Sequence, residues 1–193
     1  MRIARLTMIA ALMAGMAGTV AHAGEPQRRV TVYLRDRTNV HPEVRIPAKA
    51  LAGRMFARIG IALDWGKGEP AGESSQATVF IELVTDTPEN RMPGALAYAL
   101  PYEGAHITVF LDRIEKGPDP ARVLGHVMVH EITHLLQGIS RHSDTGIMKA
   151  RWTSRDYGDM RMKPLAFTLL DVDLIYAGLR KGTAKTAVLV AQR

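Results

Sequence analysis

The pentapeptide HEITH, residues 130–134, places two histidines and a glutamate at the spacing of a metal site. On a helix, positions i and i+4 lie on one face and one turn apart, so the imidazoles of His130 and His134 can reach one ion. Glu131 can reach a water molecule bound to that ion. Zinc lowers the pKa of such a water to about 7, and a carboxylate can then take its proton during attack on a carbonyl. The spacing therefore indicates a hydrolytic metal site.

A zinc site of this kind needs a third protein ligand and an open position for substrate. The chain has no cysteine and no glutamate after Glu131, which leaves downstream histidine and aspartate. We prefer His142, because Gly138 can end the helix in a left-handed turn and let the chain swing back toward the ion. Asp156 is the alternative third ligand. The remaining candidates are Asp144, Asp159, Asp171 and Asp173.

A simpler interpretation of residues 126–137 is a core helix whose polar side chains happen to be satisfied. Unpaired polar groups are costly in such an apolar helix, which favours the metal site. His126 lies two helical turns from His134, about 12 Å by helix rise, so we expect it to pack rather than to ligate. His41 and His106 are isolated in the sequence and are expected to be structural or surface residues.

Strands and helices that could hold this site follow from residue patterns. Strands are predicted over 28–36, 61–65 and 77–84, where β-branched and aromatic residues concentrate. Residues 95–114 indicate two further strands joined by a bend at 101–104. Between the first two strands, a helix is predicted with Pro47 in its first turn.

The helix that carries HEITH is predicted over 121–137, with Asp119 as its N-cap, Pro120 in its first position and Gly138 as its stop. A last helix is predicted over 164–180. This order of elements is typical of a single α+β domain with a mixed sheet.

The N-terminus has the layout of a secretory signal peptide over residues 1–23. Arg2 and Arg5 precede an apolar run, and an A-x-A pattern ends just before Gly24. We therefore expect an exported chain, periplasmic or extracellular, whose folded domain spans 24–193. The alternative is an uncleaved N-terminal anchor. No later segment approaches the length of a membrane-spanning helix.

Composition excludes some classes of protein. The chain has 193 residues and a formal net charge of +6, and loss of the two leader arginines would leave 23 basic against 19 acidic residues. No long basic run occurs, so we expect no nucleic-acid partner. Without cysteine there are neither disulfides nor thiolate ligands. We expect a monomer.

The sequence HEITHLLQGISRH, followed by SDTGIM, resembles the metzincin superfamily of zinc metallopeptidases. The superfamily signature is H-E-x-x-H-x-x-G-x-x-H with a downstream methionine turn, whereas this chain has one extra residue on each side of Gly138. The resemblance implies zinc held by His130, His134 and His142, with Glu131 as general base. Met148 would form the hydrophobic floor of the site.

The resemblance also implies a twisted mixed sheet, an active-site helix, a C-terminal helix and an antiparallel edge strand at ALAYALP. That strand would pair with an extended peptide substrate. Tyr157 could act as an oxyanion donor, although a packing or surface position is the simpler interpretation. Arg151 could read a substrate carboxylate or could be a solvated surface residue.

Two functions remain in competition at this point. The first is an exported zinc-dependent endopeptidase. The second is a non-catalytic zinc- or peptide-binding domain on the same fold, which would give Glu131 no role because structural zinc needs no general base. A third hypothesis, an interaction domain without metal, would leave HEITH unexplained.

Overall fold

A computed structural model describes residues 28–68, 77–87, 94–101 and 105–191, with side chains through residue 182. The predicted signal peptide, 1–23, lies outside the described residues. The chain forms one five-stranded sheet in the order β2-β1-β3-β5-β4. The strands are β1 (Arg28–Asp36), β2 (Ile61–Gly66), β3 (Ala77–Val84), β4 (Ala97–Ala99) and β5 (His106–Phe110).

The sheet is parallel except at one edge. Strand β1 pairs in parallel with β2 and β3, and β3 pairs in parallel with β5. Strand β4 runs antiparallel to β5, with Tyr98 opposite Thr108. The prediction of a mixed sheet with an antiparallel edge strand is confirmed.

Among the described residues, five helices accompany the sheet. In the part of the chain that is described, none is both long enough and apolar enough to cross a membrane. The helices are α1 (Pro42–Ala57), α2 (Leu111–Ile114), α3 (Pro120–Gln137), α4 (Ser154–Met162) and α5 (Leu169–Ala191).

The core lies between one face of the sheet and helices α1 and α3. Alternate residues of the strands point into it, as period-two patterning requires. In β3, Val79, Ile81 and Leu83 are buried while their neighbours are only partly so. Gly125 allows α3 to approach α1 closely, because a Cβ there would lie 2.8 Å from Leu51 Cδ2.

Helix α3 has the ends that the sequence predicts. The side chain of Asp119 accepts a hydrogen bond from the Arg122 amide at 3.2 Å, and Pro120 occupies the first turn. Gly138 has φ of 67°, a left-handed conformation that glycine adopts without steric cost. The helix is therefore fixed at both ends by residues next to it in the sequence.

Two predicted boundaries near the sheet are wrong. Helix α1 begins at Pro42 rather than near Pro47, so Pro47 lies inside it. The cap is His41, whose Nδ1 accepts a hydrogen bond from the Glu43 amide at 3.4 Å. The strand predicted to run to residue 114 ends at Phe110, and the short helix α2 follows directly.

The C-terminal helix begins at Leu169, five residues later than predicted, and continues to Ala191. The backbone just before the helix forms hydrogen bonds with residues that are distant in the sequence. The Leu165 amide donates to His126 Nε2 at 3.2 Å, and the Ala166 carbonyl accepts from the Ile147 amide at 2.9 Å. Asp171 and Thr168 then cap the helix reciprocally. The Thr168 amide donates to the Asp171 carboxylate at 2.9 Å, and the Asp171 amide donates to the Thr168 hydroxyl at 3.2 Å.

Helix α4 was not predicted. Its signal is the sequence TSRD, residues 153–156, in which Thr153 and Asp156 form a capping box. The threonine side chain accepts from the Asp156 amide at 3.4 Å, and the Asp156 carboxylate accepts from the Thr153 amide at 2.7 Å.

Candidate metal centre

Helix α3 and the loop after it bring three histidines together. His130 and His134 lie one turn apart, with their Nε2 atoms 3.1 Å from each other. The loop that follows Gly138 returns His142 to them, with ring centroids 5.3 Å from His130 and 4.9 Å from His134. One ligand atom from each of the three side chains lies within 4.8 Å of the others.

The orientation of the two helical imidazoles is set by main-chain carbonyls. His130 Nδ1 lies 2.8 Å from the Ile147 oxygen, and His134 Nδ1 lies 3.2 Å from the Ile139 oxygen. Because a carbonyl can only accept, each Nδ1 carries the proton and donates, which leaves a lone pair on each Nε2. This tautomer is the one that metal-binding histidines commonly use.

The histidines are also held in the neutral form. Burial, followed by the neighbouring His134, lowers the pKa of His130 to about 3. Burial lowers the pKa of His134 to about 4, and it lowers that of the more exposed His142 as well. Neutral imidazoles are the form that binds a cation.

The spacing and chemistry of this cluster fit zinc. Two nitrogens at about 2.1 Å from a tetrahedral zinc ion lie about 3.4 Å apart, close to the observed 3.1 Å between the two Nε2 atoms. Imidazole is a ligand type that zinc favours, and no cysteine is needed. His130 and His134 are 8% and 6% exposed, so the inner side of the site is closed. His142 is exposed, which leaves an outer side open.

Glu131 is the buried carboxyl group beside the cluster. Its side chain lies against β4, where the Ala99 backbone donates a hydrogen bond to it. Burial raises the pKa of Glu131 to about 8, and the Ala99 hydrogen bond only partly offsets that rise. A carboxyl group in such surroundings can hold or release a proton near neutral pH, as general bases and acids do.

The loop over residues 139–148 folds back on itself. The Ser143 amide donates to the Met148 carbonyl at 2.8 Å, and Met148 is fully buried in the core. Gly146 has φ of 74°, and a Cβ on it would lie 2.3 Å from the Ala166 oxygen. The loop therefore depends on glycine here for both backbone conformation and space.

Helix α5 anchors the loop through Asp171, whose side chain is fully buried. Its Oδ1 accepts from Ser143 Oγ at 2.6 Å and from Arg141 Nη1 at 3.0 Å, and Oδ2 accepts from the Thr168 amide at 2.9 Å. Burial alone would raise the pKa of Asp171, but these hydrogen bonds lower it. Since Arg141 and Ser143 flank His142, Asp171 fixes the backbone that carries the third histidine.

Asp156, the alternative ligand, has other partners. Its carboxylate accepts from Lys149 Nζ at 2.5 Å and from both the amide and the hydroxyl of Thr153 at 2.7 Å. These bonds outweigh the effect of burial and lower its pKa to about 2. The cluster of possible ligands found among the described residues contains His142 instead.

The other histidines have structural partners. His126 donates through Nδ1 to the Arg122 carbonyl at 2.8 Å and accepts from Leu165 at Nε2, so both nitrogens are used in packing, as expected. His41 caps α1, and His106 is an exposed residue of β5 whose ring stacks on Phe80 at 4.9 Å.

The three histidines and Glu131 open onto a cavity of about 590 Å³. One wall is the segment 94–99 that contains β4, and the other is the segment 149–152. The Trp152 ring lies 5.8 Å from the His130 ring, and Tyr157 lies 6.2 Å beyond Trp152 and also lines the cavity. Burial raises the pKa of Tyr157, so its hydroxyl stays a donor at neutral pH.

Two residues that support the histidine cluster, Trp152 and Asp171, were not predicted in those roles from the sequence. The sequence did not indicate that Trp152 lies against His130, and Asp171 was only one of several candidate ligands. Local sequence carries no signal for either contact, because Trp152 is distant in sequence from His130, and Arg141 and Ser143 lie 30 and 28 residues from Asp171.

Comparison with known proteins gives structural matches only. No protein-family model matches the chain, and no curated protein matches its sequence. The archaemetzincin structure from Methanopyrus kandleri is similar, with a TM-score of 0.51, 14% identity, and coverage of 80% of this chain and 96% of that one. A zinc-dependent peptidase from Methanocorpusculum labreanum aligns with a TM-score of 0.52 and 12% identity, covering 76% of this chain and 99% of that one. The chain therefore shares their fold.

Proposed function

We propose that this chain is a zinc-dependent peptidase. The observation that carries the proposal is the three-histidine cluster, whose two helical Nε2 lone pairs converge beside Glu131 at the base of a cavity. Two proteins of the same fold, one described as an archaemetzincin and one as a zinc-dependent peptidase, support this choice of metal and reaction.

In this proposal His130, His134 and His142 hold the zinc ion, and Met148 closes the core beneath them. When bound, zinc would supply a Lewis acid that lowers the pKa of a water to about 7 and polarises the substrate carbonyl. The Nδ1 hydrogen bonds to Ile147 and Ile139 keep the two helical rings in the binding tautomer.

Glu131 is the proposed general base. One of its carboxylate oxygens takes the proton from the attacking water and later passes it to the leaving amide nitrogen, so the residue ends the cycle as it began. The hydrogen bond from the Ala99 backbone holds the carboxyl group against β4. Tyr157 lines the same cavity with a protonated hydroxyl and can donate to the oxyanion.

The substrate is proposed to be a peptide in extended form. Strand β4 is an edge strand of the sheet and its residues line the cavity, so an added strand there would pass over the three histidines. A cavity between two walls, one of them a sheet edge, can hold the middle of a peptide chain. We therefore extend the proposal to an endopeptidase, which cleaves internal peptide bonds.

The proposal includes export. The basic start, apolar run and A-x-A pattern of residues 1–23 support cleavage before Gly24 and a periplasmic or extracellular site of action. N-terminal sequencing of the protein recovered from outside the cytoplasm tests this. A chain recovered only from the cytoplasm with residues 1–23 intact would contradict it.

Substitution of the base tests the mechanism. Glu131→Gln should keep about one zinc per chain and lose at least about 100-fold in peptide hydrolysis, since it keeps the shape of the side chain but cannot accept a proton. The matched control is Glu43→Gln, which changes an exposed glutamate of α1. Hydrolysis of a peptide library by mass spectrometry and zinc content by atomic emission are the measurements.

The outcomes separate the two candidate functions. Full activity in Glu131→Gln would exclude Glu131 as the base. A wild-type protein that binds zinc but cleaves no peptide in a broad library would instead favour the non-catalytic zinc- or peptide-binding domain. The absence of bound zinc after loading would contradict both.

A further inference from the structure

The wall of the cavity opposite β4 is a short basic segment, Lys149 to Trp152. All four of its residues line the cavity. Trp152 packs edge-on against His130 at 5.8 Å, so the segment lies directly beside the histidine cluster. Met148, just before the segment, is fully buried and fixes its start. The segment is therefore held close to the position where a substrate bond would be cleaved.

The first cation of this segment is already neutralised. Lys149 Nζ pairs with Asp156 at 2.5 Å, and the lysine side chain is only 22% exposed. Asp156 is in turn saturated by the amide and hydroxyl of Thr153. Lys149 therefore links the cavity wall to the start of α4 and has little charge to offer a substrate.

The second cation, Arg151, is different. It is exposed and lines the cavity, and within the described ranges no carboxylate lies at ion-pair distance from it. Among the described residues that line the cavity, Glu131 is the only acid, and its carboxyl is buried against β4. Within the part of the chain that is described, the cavity thus has a guanidinium without a carboxylate partner on one wall and no acid at its mouth.

The described residues of the facing wall offer no competing charge. Residues 94–97 are Gly, Ala, Leu and Ala, and Phe110 and Val127 extend this apolar surface. A guanidinium next to an apolar surface is less well solvated than one in bulk water, so a charged partner that enters the cavity gains more from pairing with it. The planar fork of arginine matches a carboxylate with two parallel N–H donors.

We propose that Arg151 recognises a carboxylate of the substrate near the scissile bond. The inference rests on the proposed peptidase function and narrows it to peptides that bear an acidic group there. The carboxylate can come from an aspartate or glutamate side chain, or from the free C-terminus of a short peptide. The bound carboxylate would fix the register of the peptide along β4.

The first test compares matched substrates. Peptides that differ only in having Glu, Gln or Lys at one position around the cleaved bond are assayed for kcat/KM, each as a free acid and as a C-terminal amide. Wild type should prefer one carboxylate-bearing form by about 10-fold, as expected when a carboxylate forms two parallel hydrogen bonds with a guanidinium beside an apolar surface. Arg151→Ala should reduce that preference to about twofold or less, and Arg151→Glu should reverse it toward Lys.

The control is Arg155→Ala, which removes another exposed arginine only four residues on that does not line the cavity. It should keep the wild-type preference. A Glu-over-Gln preference that disappears in Arg151→Ala supports recognition of a side chain. A free-acid preference that disappears supports recognition of the C-terminus. Wild type without either preference, or with a preference that Arg151→Ala leaves unchanged, overturns the proposal.

A second readout does not depend on turnover. Three peptide hydroxamates are titrated into the zinc-loaded protein by calorimetry. The neutral one has Gln, the second has Glu in place of that Gln, and the third has Gln but ends in a free carboxylate. A carboxylate-bearing hydroxamate should bind wild type about 10-fold more tightly than its neutral partner, and Arg151→Ala should remove the difference.

The two proposals can then fail separately. If wild type cleaves no peptide but binds the carboxylate-bearing hydroxamate selectively through Arg151, the peptidase function fails and the carboxylate site stands. If wild type cleaves peptides but binds all the hydroxamates alike, or none of them, the carboxylate site fails and the peptidase function stands.

Discussion

The two halves of the histidine cluster are built in different ways. His130 and His134 lie on a buried helix whose ends are fixed by neighbours in the sequence, Asp119 and Gly138. His142 lies on an exposed loop that is held by contacts from a distant helix, chiefly those of Asp171. The limits of the helical half are therefore set by neighbouring residues, whereas the position of the loop half depends on contacts with α5.

The largest expected difference between the halves is in metal binding. His134→Ala should weaken zinc binding by about 1,000-fold or more, roughly a third of the free energy of a structural zinc site. His142→Ala should weaken zinc binding by only about 100-fold, because the helical pair of histidines with its 3.1 Å spacing remains. Competition with a fluorescent zinc chelator measures both, with His106→Ala as the exposed control.

If His142→Ala lost as much zinc affinity as His134→Ala, or more, the proposed difference between the helical and loop halves would be wrong. That result would mean that the loop is as well organised as the helix in the absence of metal. Hydrogen exchange of residues 139–148 in the zinc-free protein would then be as slow as that of α3.

The second prediction concerns the anchor of the loop. Asp171→Ala should lower the free energy of unfolding by about 2–4 kcal/mol, since it removes a buried acceptor and leaves Ser143 and Arg141 without their partner. It should also weaken zinc binding by about 10–100-fold, the usual cost of losing a residue that orients a ligand. Asp173→Ala, an exposed change on the same helix, is the control.

Chemical denaturation and zinc titration of Asp171→Ala separate its two effects. If stability falls but zinc affinity does not, Asp171 only caps α5. Asp171→Asn keeps the shape of the side chain and should restore part of the stability. A variant with unchanged stability would contradict the anchoring role altogether.

The third prediction compares Gly138, which ends α3, with Gly146 in the loop that follows. Gly138→Ala meets backbone strain alone, because no atom lies within 4 Å of its added Cβ, and should cost about 1–2 kcal/mol. Gly146→Ala meets the same strain and also places its Cβ 2.3 Å from the Ala166 oxygen, so it should cost about 3 kcal/mol or more. Thermal and urea unfolding of the two zinc-free variants decide the order, and the reverse order would contradict it.

The smallest effect is expected from Asp156, the partner of the cavity-lining Lys149, as a dependence on pH. Its folded pKa of about 2 lies below the value of about 3.9 in an unfolded chain, so the carboxylate stabilises the fold above pH 4. That stability is lost as the pH falls from about 4 toward 2. Asp156→Asn should lower the stability by about 1 kcal/mol at pH 7 and flatten its decline in acid. Parallel acid titrations by circular dichroism would contradict this if the two curves kept the same slope.

The same contrast explains what the sequence could predict. The limits of α3, the strands β1 and β3 and the pairing of His130 with His134 follow from signals within a few residues, such as Asp119, Pro120 and Gly138. Elimination of cysteine and downstream glutamate directed attention to His142. These inferences needed no knowledge of how distant segments meet.

The features that prediction missed are those set by distant contacts. Pro164 marked the start of α5 in the sequence, but the backbone of Leu165 and Ala166 is used by His126 and Ile147, so the helix begins only at Leu169. The anchoring role of Asp171 has the same origin. Helix α4 is the exception, because its capping box was visible in the sequence and was overlooked.

The acceptors that orient the two helical imidazoles are main-chain oxygens, those of Ile147 and Ile139. A carbonyl oxygen is present whatever side chain the residue bears, so mutation of either isoleucine cannot delete the acceptor, as mutation of an aspartate in that place would. The acceptor oxygen is thus kept through single-codon changes at those two positions, although Ile147 is itself a fully buried core residue. In a deep mutational scan selected for metal retention, intolerance should fall on Gly146 and Asp171, which shape the path of the backbone, more than on the partly buried Ile139, whose carbonyl accepts from His134.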